Sequence, residues 1–306
     1  MVKFDIVSGF LGAGKTTLIR QILKSSGKEK VVIIENEYGE TQIDKEVLSV
    51  AGFKIYELTN GCVCCTLKED FRLTLREILN QEVDRIIFEP SGIFVLSEIF
   101  ELFKDLQISS RCTLNSVITV VDALNFFKHA NSYSGFFANQ IELASSLVVS
   151  KTQFVDKEEL KRINAELRRM NGTALIVDMD WEDISANDLA HLLDRKPDRS
   201  LKKEPFQTDH DFESLGLQTS RTFEVKDLEQ LLDTLKNGQY GEVIRGKGIV
   251  HASEGEGFLE FNYVDGHYEI EKLRESTIEA VSFIGTSLQT EELKRIFTRR
   301  LNFRWG

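Results

Sequence analysis

Three groups of residues in this sequence have the types and spacing to do chemistry. The first runs Gly9-Phe10-Leu11-Gly12-Ala13-Gly14-Lys15-Thr16, the order G-x-x-x-x-G-K-T, with Thr17 after it. Glycines at these places let backbone N–H groups turn inward around a polyphosphate, where a Cβ would obstruct them. Lys15 would sit on the β- and γ-phosphates, and the Thr16 hydroxyl would complete the shell of a Mg²⁺ ion. The second group is Cys62, Cys64 and Cys65, which with Cys112 are the only cysteines of the chain. Thiolate is a soft ligand for Zn²⁺ and similar ions, and three thiolates on one short turn approach a tetrahedral site with one position open. Glu37, water or the side chain of another protein would fill it. The same cysteines also suit a packed interior or a redox pair. The third group is acidic. Glu35, Glu37, Glu40 and Asp44 lie in one polar loop, and Glu89 stands at the tip of an apolar run, three residues before Gly92. A carboxylate placed like Glu89 holds the water shell of Mg²⁺ or the attacking water, and the Gly92 N–H can sense a γ-phosphate.

A further turn, Ser150-Lys151-Thr152-Gln153, follows a late apolar run. Guanine-specific sites usually place Asn-Lys-x-Asp there, because a carboxylate accepts both guanine N–H donors. The Lys151 stem can still cover a base. The Gln153 amide has one donor and one acceptor face, so it matches guanine or adenine about equally, and ATP is not excluded. Cys112 reads as a core residue. His129, His191, His210, His251 and His267 are scattered without ligand spacing, which points to surface or packing roles.

These residues need elements to hold them. An apolar strand precedes the glycine loop, and the helix after it carries Leu18, Ile19, Ile22 and Leu23 on one face, with Gly27 as its stop. Strands are expected from about Lys30 to Ile34, ending near Leu58, ending at Glu89, ending near Asp122, ending at Ser150 to Thr152, and in TALIVDM. Between them the pattern predicts a helix opened by Thr66 and Glu69 at capping-box spacing and carrying Leu67, Phe71, Leu75 and Ile78 through Asn80. Further helices are expected over 95–106, 137–146 and 158–170. Strands alternating with helices give an α/β fold with a mostly parallel sheet covered on both faces, over residues 1–195. In such a sheet the strands end on one edge, so the glycine loop, the acidic loop, the cysteine turn, the Glu89 turn and the Ser150 turn converge.

Composition shifts over 196–212, a polar linker carrying Pro197 and Pro205. Residues 213–306 read as a small α+β domain: strands in RTFEV and in FLEFNYV and HYEI, joined by the hairpin turn Asp265-Gly266, and helices in LEQLLDTLK and TEELKRIFTRRL. With 42% hydrophobic and 28% charged residues the chain has an ordinary globular composition. It has no apolar run of the roughly 20 residues a membrane span needs. No basic-then-apolar leader precedes the first strand, so the cytoplasm is the expected compartment. A net charge of −11 argues against a nucleic-acid partner, whose backbone demands a basic surface.

Taken in order, GFLGAGKTTL, NEYGETQID, GCVCC, EPSG, VVDA and SKT resemble the CobW-like P-loop GTPases and their metallochaperone relatives. VIRGKGIV at 243–250 and FIGTSLQTEELKRIF at 283–297 resemble that family's C-terminal domain, so the likeness covers nearly the whole chain. The resemblance implies that residues 12–17 bind GTP and Mg²⁺, that Glu89 and Gly92 form the Walker B-type element, and that Glu37 with Cys62, Cys64 and Cys65 forms a metal-responsive site. It also implies slow GTP hydrolysis coupled to delivery of zinc or cobalt to a client metalloprotein, with self-association dependent on nucleotide or metal. Two features depart from the family pattern: the Ser150 turn lacks the usual Asn and Asp, and no His-rich stretch is present to store metal. A nucleotide-gated adaptor with structural or redox cysteines, and a P-loop small-molecule kinase, are the alternative readings.

Overall fold

Strand β1 (Val2–Gly9) runs down the middle of the first of two sheets, and every other element of that half is arranged about it. The computed structural model describes residues 1–35, 54–57, 66–198, 212–219, 221–253, 257–276 and 279–298. Glu37, Glu40, Asp44, Cys62, Cys64, Cys65 and linker residues 199–211 lie outside the described residues. The chain divides into two compact units.

In the first unit, β2 (Val31–Glu35), β3 (Lys54–Glu57), β4 (Arg85–Glu89), β5 (Cys112–Asp122), β6 (Ser146–Ser150) and β7 (Leu175–Val177) join β1. The order is β3-β2-β4-β1-β5-β6-β7, and each described pairing is parallel. Helix α1 (Lys15–Ser25) buries the four aliphatic residues anticipated from its periodicity and packs on one face with Val7, Ile33 and Ile87. Helix α2 (Thr66–Leu79) presents Phe71, Leu75 and Ile78 to the opposite face, against Phe4, Ile86 and Phe88. A doubly covered parallel sheet accounts for the near-continuous apolar strands.

The helical pattern over 95–106 is interrupted. The chain forms α3 (Ser97–Leu102) and then α4 (Leu106–Ser109), because Asp105 turns extended and its carboxylate accepts the Gln107 N–H at 2.8 Å, opening a new helix. The helix expected at 137–146 is instead the pair α5 (Phe126–Ser132) and α6 (Ser134–Glu142), since the aromatic run after Asp122 already folds helically. Helix α7 (Lys157–Met170) matches its expectation, capped by Asp156. A helix not anticipated, α8 (Ala186–Asp194), covers α1; its signal was the capping box of Ser185 with Asp188, followed by Leu189, Leu192 and Leu193.

Toward the amino ends of the strands the Asp5 carboxylate is fully buried. It accepts from Arg85 Nη1 at 2.5 Å, Asn115 Nδ2 at 2.8 Å and Ser116 Oγ at 2.6 Å, while Arg85 Nε donates to Glu29 at 2.8 Å. Burial pushes the Asp5 carboxyl up against the pull of Arg85 and the two neutral donors. The network ties β1 to β4 and β5 where the β1–β5 register shifts at Phe4/Asp5.

In the second unit β8 (Phe212–Gln218), β10 (Glu242–Ala252), β11 (Phe258–Val264), β12 (His267–Leu273) and β13 (Ala280–Thr286) form the antiparallel order β12-β11-β10-β13-β8, with β9 (Thr222–Phe223) beside β10. Helices α9 (Val225–Leu235) and α10 (Thr290–Phe297) cover one face through Leu228, Leu232, Leu293 and Phe297. The Asp265-Gly266 hairpin forms as expected, with φ of 50° and 92°. Among the described residues no helix is long and apolar enough to cross a membrane.

Candidate functional site

All seven strands of the first sheet deliver their carboxyl ends to one edge, so the residues that end them are neighbours whatever their separation in sequence. β1 ends at Gly9 and turns into the loop Phe10–Gly14, which closes at α1. Gly9, Gly12 and Gly14 adopt φ of 146°, 69° and 101°, values that side chains with a Cβ rarely adopt. At Gly9 the space is also closed, because a Cβ would collide with the Val120 carbonyl. The loop thus aims at a cradle that only these glycines permit. The Lys15 ammonium donates to the carbonyl oxygens of Gly9 at 3.1 Å and Phe10 at 3.4 Å, arching over its own loop. Thr17 is exposed on the next turn, and Ala13 is buried beneath the loop.

The Thr16 hydroxyl donates to both carboxylate oxygens of Glu89, at 3.0 and 3.3 Å. The residue at the start of α1 and the residue at the end of β4 therefore meet, as their spacing anticipated. A hydroxyl paired with a carboxylate, at the mouth of a phosphate loop, is an all-oxygen donor set of the kind Mg²⁺ takes with its waters. Glu89 is also in register with Glu35, and Glu35 with Glu57, so three glutamates end adjacent strands in one row. Glu35 is buried at that edge.

Gly92 lies directly against the phosphate loop. A Cβ there would stand 2.5 Å from the Leu11 nitrogen and 2.8 Å from its Cα, so close approach accounts for this glycine. Its carbonyl accepts from Gln140 Nε2 at 2.8 Å.

On the other side of β1, Ser150 ends β6 and its hydroxyl donates to the Ala13 carbonyl at 2.7 Å, tying the late turn to the phosphate loop. Lys151 takes a left-handed conformation, φ 59°, and its ammonium meets the buried Asp122 carboxylate at 2.7 Å. Asp122 is further fixed by the Leu124 N–H at 2.9 Å and Asn125 Nδ2 at 3.0 Å. Thr152 and Gln153 follow in a short 3-10 turn, Gln153 with its side chain exposed. Leu124, Phe154 and Met179 place exposed apolar surface after β5, β6 and β7 at the same edge. Trp181 lies over Gly14, its ring 3.3 Å from where a Cβ would be, with Nε1 donating to the Val149 carbonyl at 3.0 Å and its own carbonyl accepting from Gln21.

Of the residues singled out from the sequence, Lys15, Thr16, Glu89, Gly92 and Ser150 to Gln153 lie at one edge of the sheet. Sequence reading missed Asp122 as the partner of Lys151, although strand ends at Asp122 and Ser150 pair in register; it also missed Gln140 and Trp181, whose sequence carries no local signal. Glu37 and the three clustered cysteines lie outside the described residues. Among the described residues no group of three metal-ligating side chains gathers. Cys112 is in the core, where burial pushes its thiol up to about 12, far from the thiolate a metal needs. His129 is buried against Phe10 and Phe137, and His251 stacks on Phe258.

Residues 3–178 match the model of the CobW/HypB/UreG nucleotide-binding domain, and residues 212–301 that of the cobalamin synthesis protein cobW C-terminal domain. The zinc chaperone YjiA of Escherichia coli is 26% identical over 313 residues, covering 97% of this chain and 98% of its own length. The zinc chaperone CobW of Pseudomonas aeruginosa is 32% identical over 194 residues, 53% of this chain and 52% of its own. The zinc-regulated GTPase metalloprotein activator 1 of Schizosaccharomyces pombe is 30% identical over 202 residues, 63% of this chain and 49% of its own. The aligned region thus spans about half the length of the latter two relatives. With a family model matching more than half of the chain and a phosphate loop built as that family requires, the chain belongs to the CobW/HypB/UreG family of P-loop NTPases.

Proposed function

We propose that this protein binds GTP and hydrolyses it slowly, and that the nucleotide state governs binding of a transition metal and its transfer to a client protein. The observation that carries the nucleotide half is the hydrogen bond from Thr16 to Glu89 at the mouth of the glycine loop. The family membership and the relatives' names, zinc chaperone and metalloprotein activator, support the metal half. So does position in the chain: Cys62, Cys64 and Cys65 lie between β3 and α2, and β3 ends in register with β2 and β4 beside the Thr16–Glu89 pair.

In this reading the inward N–H groups of residues 12–16 take the β-phosphate, and Lys15 leaves its loop carbonyls for the β- and γ-phosphates. Thr16 and Glu89 hold the Mg²⁺ shell. Mg²⁺, when bound there, would supply positive charge against the negative charge on the transferred phosphoryl oxygens. The Gly92 N–H reports the γ-phosphate. Lys151, held by Asp122, covers one face of the base, and Gln153 reads its edge. Glu37, Cys62, Cys64 and Cys65 take zinc or cobalt as cargo in the GTP-bound state, and hydrolysis frees the metal for the client. Residues 1–195 carry this machinery and 213–306 form the partner-facing domain, joined by the linker 196–212.

The test is a Zn²⁺ and Co²⁺ titration of the reduced protein, read by thiolate charge-transfer absorbance in nucleotide-free, GDP-bound and non-hydrolysable-GTP-bound forms. Metal affinity that changes with guanine nucleotide is expected, because linkage acts in both directions. Affinity indifferent to nucleotide would separate the metal from the GTPase cycle.

A further inference from the structure

The segment between β5 and β6 grips the nucleotide edge at two places. At the first, Phe10 of the phosphate loop stacks on Tyr133, ring centroids 5.0 Å apart and 22° from parallel, and sits 4.6 Å from the His129 ring. At the second, Gln140 Nε2 donates to the Gly92 carbonyl in a buried hydrogen bond of 2.8 Å. Gln140 is itself 1% exposed and is held at its backbone, where its carbonyl accepts the Thr119 hydroxyl at 2.7 Å. Its amide cannot swing away without breaking into the core. The Gln140 Oε1 atom is buried and has no hydrogen-bond partner among the described residues. A buried acceptor left unused costs free energy, so it marks either strain or a second state in which it is used.

We propose that Gln140 is the positioning residue for Gly92 and sets the balance between its two nucleotide-dependent positions. The proposal rests on the reading of Gly92 as the γ-phosphate sensor. Gly92 packs so closely on Leu11 of the phosphate loop that a Cβ would not fit, and in this proposal its adjustment is rotation of the peptide that joins it to Ile93. That peptide carries the Gly92 carbonyl on one side and the Ile93 N–H on the other. In the structure the carbonyl faces the Gln140 donor. When a γ-phosphate draws Gly92 toward it, the peptide turns and offers the Ile93 N–H, and the Gln140 amide, rotating in place about its Cγ–Cδ bond, presents Oε1 to accept it. An amide serves both orientations, because it holds a donor and an acceptor on one planar group. The amide thus exchanges one bond for the other. A side chain of equal size that keeps the acceptors and loses the donor gives up the present bond alone and favours the turned peptide.

The experiment measures the affinity of the full chain for GDP and for a non-hydrolysable GTP analogue with Mg²⁺, in the wild type, Gln140→Met and Gln140→Glu. Methionine keeps the volume and removes both polar atoms; glutamate keeps the acceptors and turns a carboxylate on the Gly92 carbonyl. A hydrogen bond of ordinary net strength corresponds to a shift of the GDP-to-GTP affinity ratio toward the triphosphate of about two- to tenfold in Gln140→Glu, with a smaller change in Gln140→Met, which loses the bonds of both states. Thr119→Val is the structural control: it loosens the same helix without touching the amide, so it lowers the melting temperature and leaves the ratio unchanged. Equal ratios in the wild type and both Gln140 variants would overturn the proposal while leaving the GTPase reading intact. A ratio shifted equally by Thr119→Val would reduce Gln140 to a packing residue. Failure of the wild type to bind either nucleotide would instead sink the GTPase reading and this proposal with it.

Discussion

Glu89 and Thr16 sit in elements far apart in sequence, yet the donor–acceptor pair they form puts at the mouth of the glycine loop the oxygen donors on which the proposed Mg²⁺–nucleotide site rests. Thr16→Ala removes an oxygen that Mg²⁺ would use while leaving the loop's glycines in place. Nucleotide affinity measured in Mg²⁺ should then fall about tenfold or more, by the strength of interactions with charged groups, with little change in excess chelator. A drop that is the same with and without Mg²⁺ would assign Thr16 to loop packing. In the proposed reading Gln153 meets the edge of the base. Gln153→Asp supplies a carboxylate that accepts two guanine N–H donors at once, so competition binding should show preference for GTP over ATP rising about tenfold or more. These residues were legible because each belongs to a short motif with fixed offsets. The Ser150 tie to Ala13 and the Trp181 ring over Gly14 were not, since each joins positions that only the folded sheet brings together.

The elements were readable where one face is apolar and the ends carry caps. α1, α2 and α7 announced themselves by periodicity, and the strands of the first sheet other than β3 by runs of aliphatic residues. The break at Asp105 was hidden because Leu102 and Leu106 keep helical spacing across it although Leu106 is exposed, and the early start of α5 because Phe126 and Phe127 follow closely on the apolar run of β5. The Asp5–Arg85 pair was equally invisible: a single acid in an apolar strand gives no hint of its partner. Its energetics can be tested. Arg85→Met leaves a buried carboxylate without its counter-charge, a change that costs about 3–5 kcal/mol in comparable pairs. With Arg85 gone, burial acts on Asp5 unopposed by that charge, so its native carboxyl rises further above the ordinary value near ~3.9. The native state then holds a proton that the unfolded chain releases, and stability is lost as pH climbs through that window. Urea melts of the variant should therefore show a smaller deficit near pH 4.5 than at pH 7; a deficit independent of pH would place the loss in packing.

On the scale of the molecule, each unit has its own sheet and its own core, with α9 and α10 closing the second. Limited proteolysis is expected to cut within 196–212, and the fragment beginning near residue 212 should unfold cooperatively by itself; a fragment without a cooperative transition would show that the second core needs the first. Both units were visible in the sequence as a change from alternating strands and helices to a hairpin-rich pattern. Their strand order was not, because order depends on which strands find each other across long intervals. That order has a consequence for synthesis. β1 is central and pairs with β4 and β5, whose nearer partner begins at Arg85 and whose farther one ends at Asp122. At translation speeds of about 5–20 residues per second, the apolar strand VKFDIVSG leaves the ribosome several seconds before either neighbour exists. The strand that leads into the phosphate loop is therefore the first of its sheet to be made and the one that waits longest for both its neighbours, so its apolar faces depend longest on other cover during synthesis.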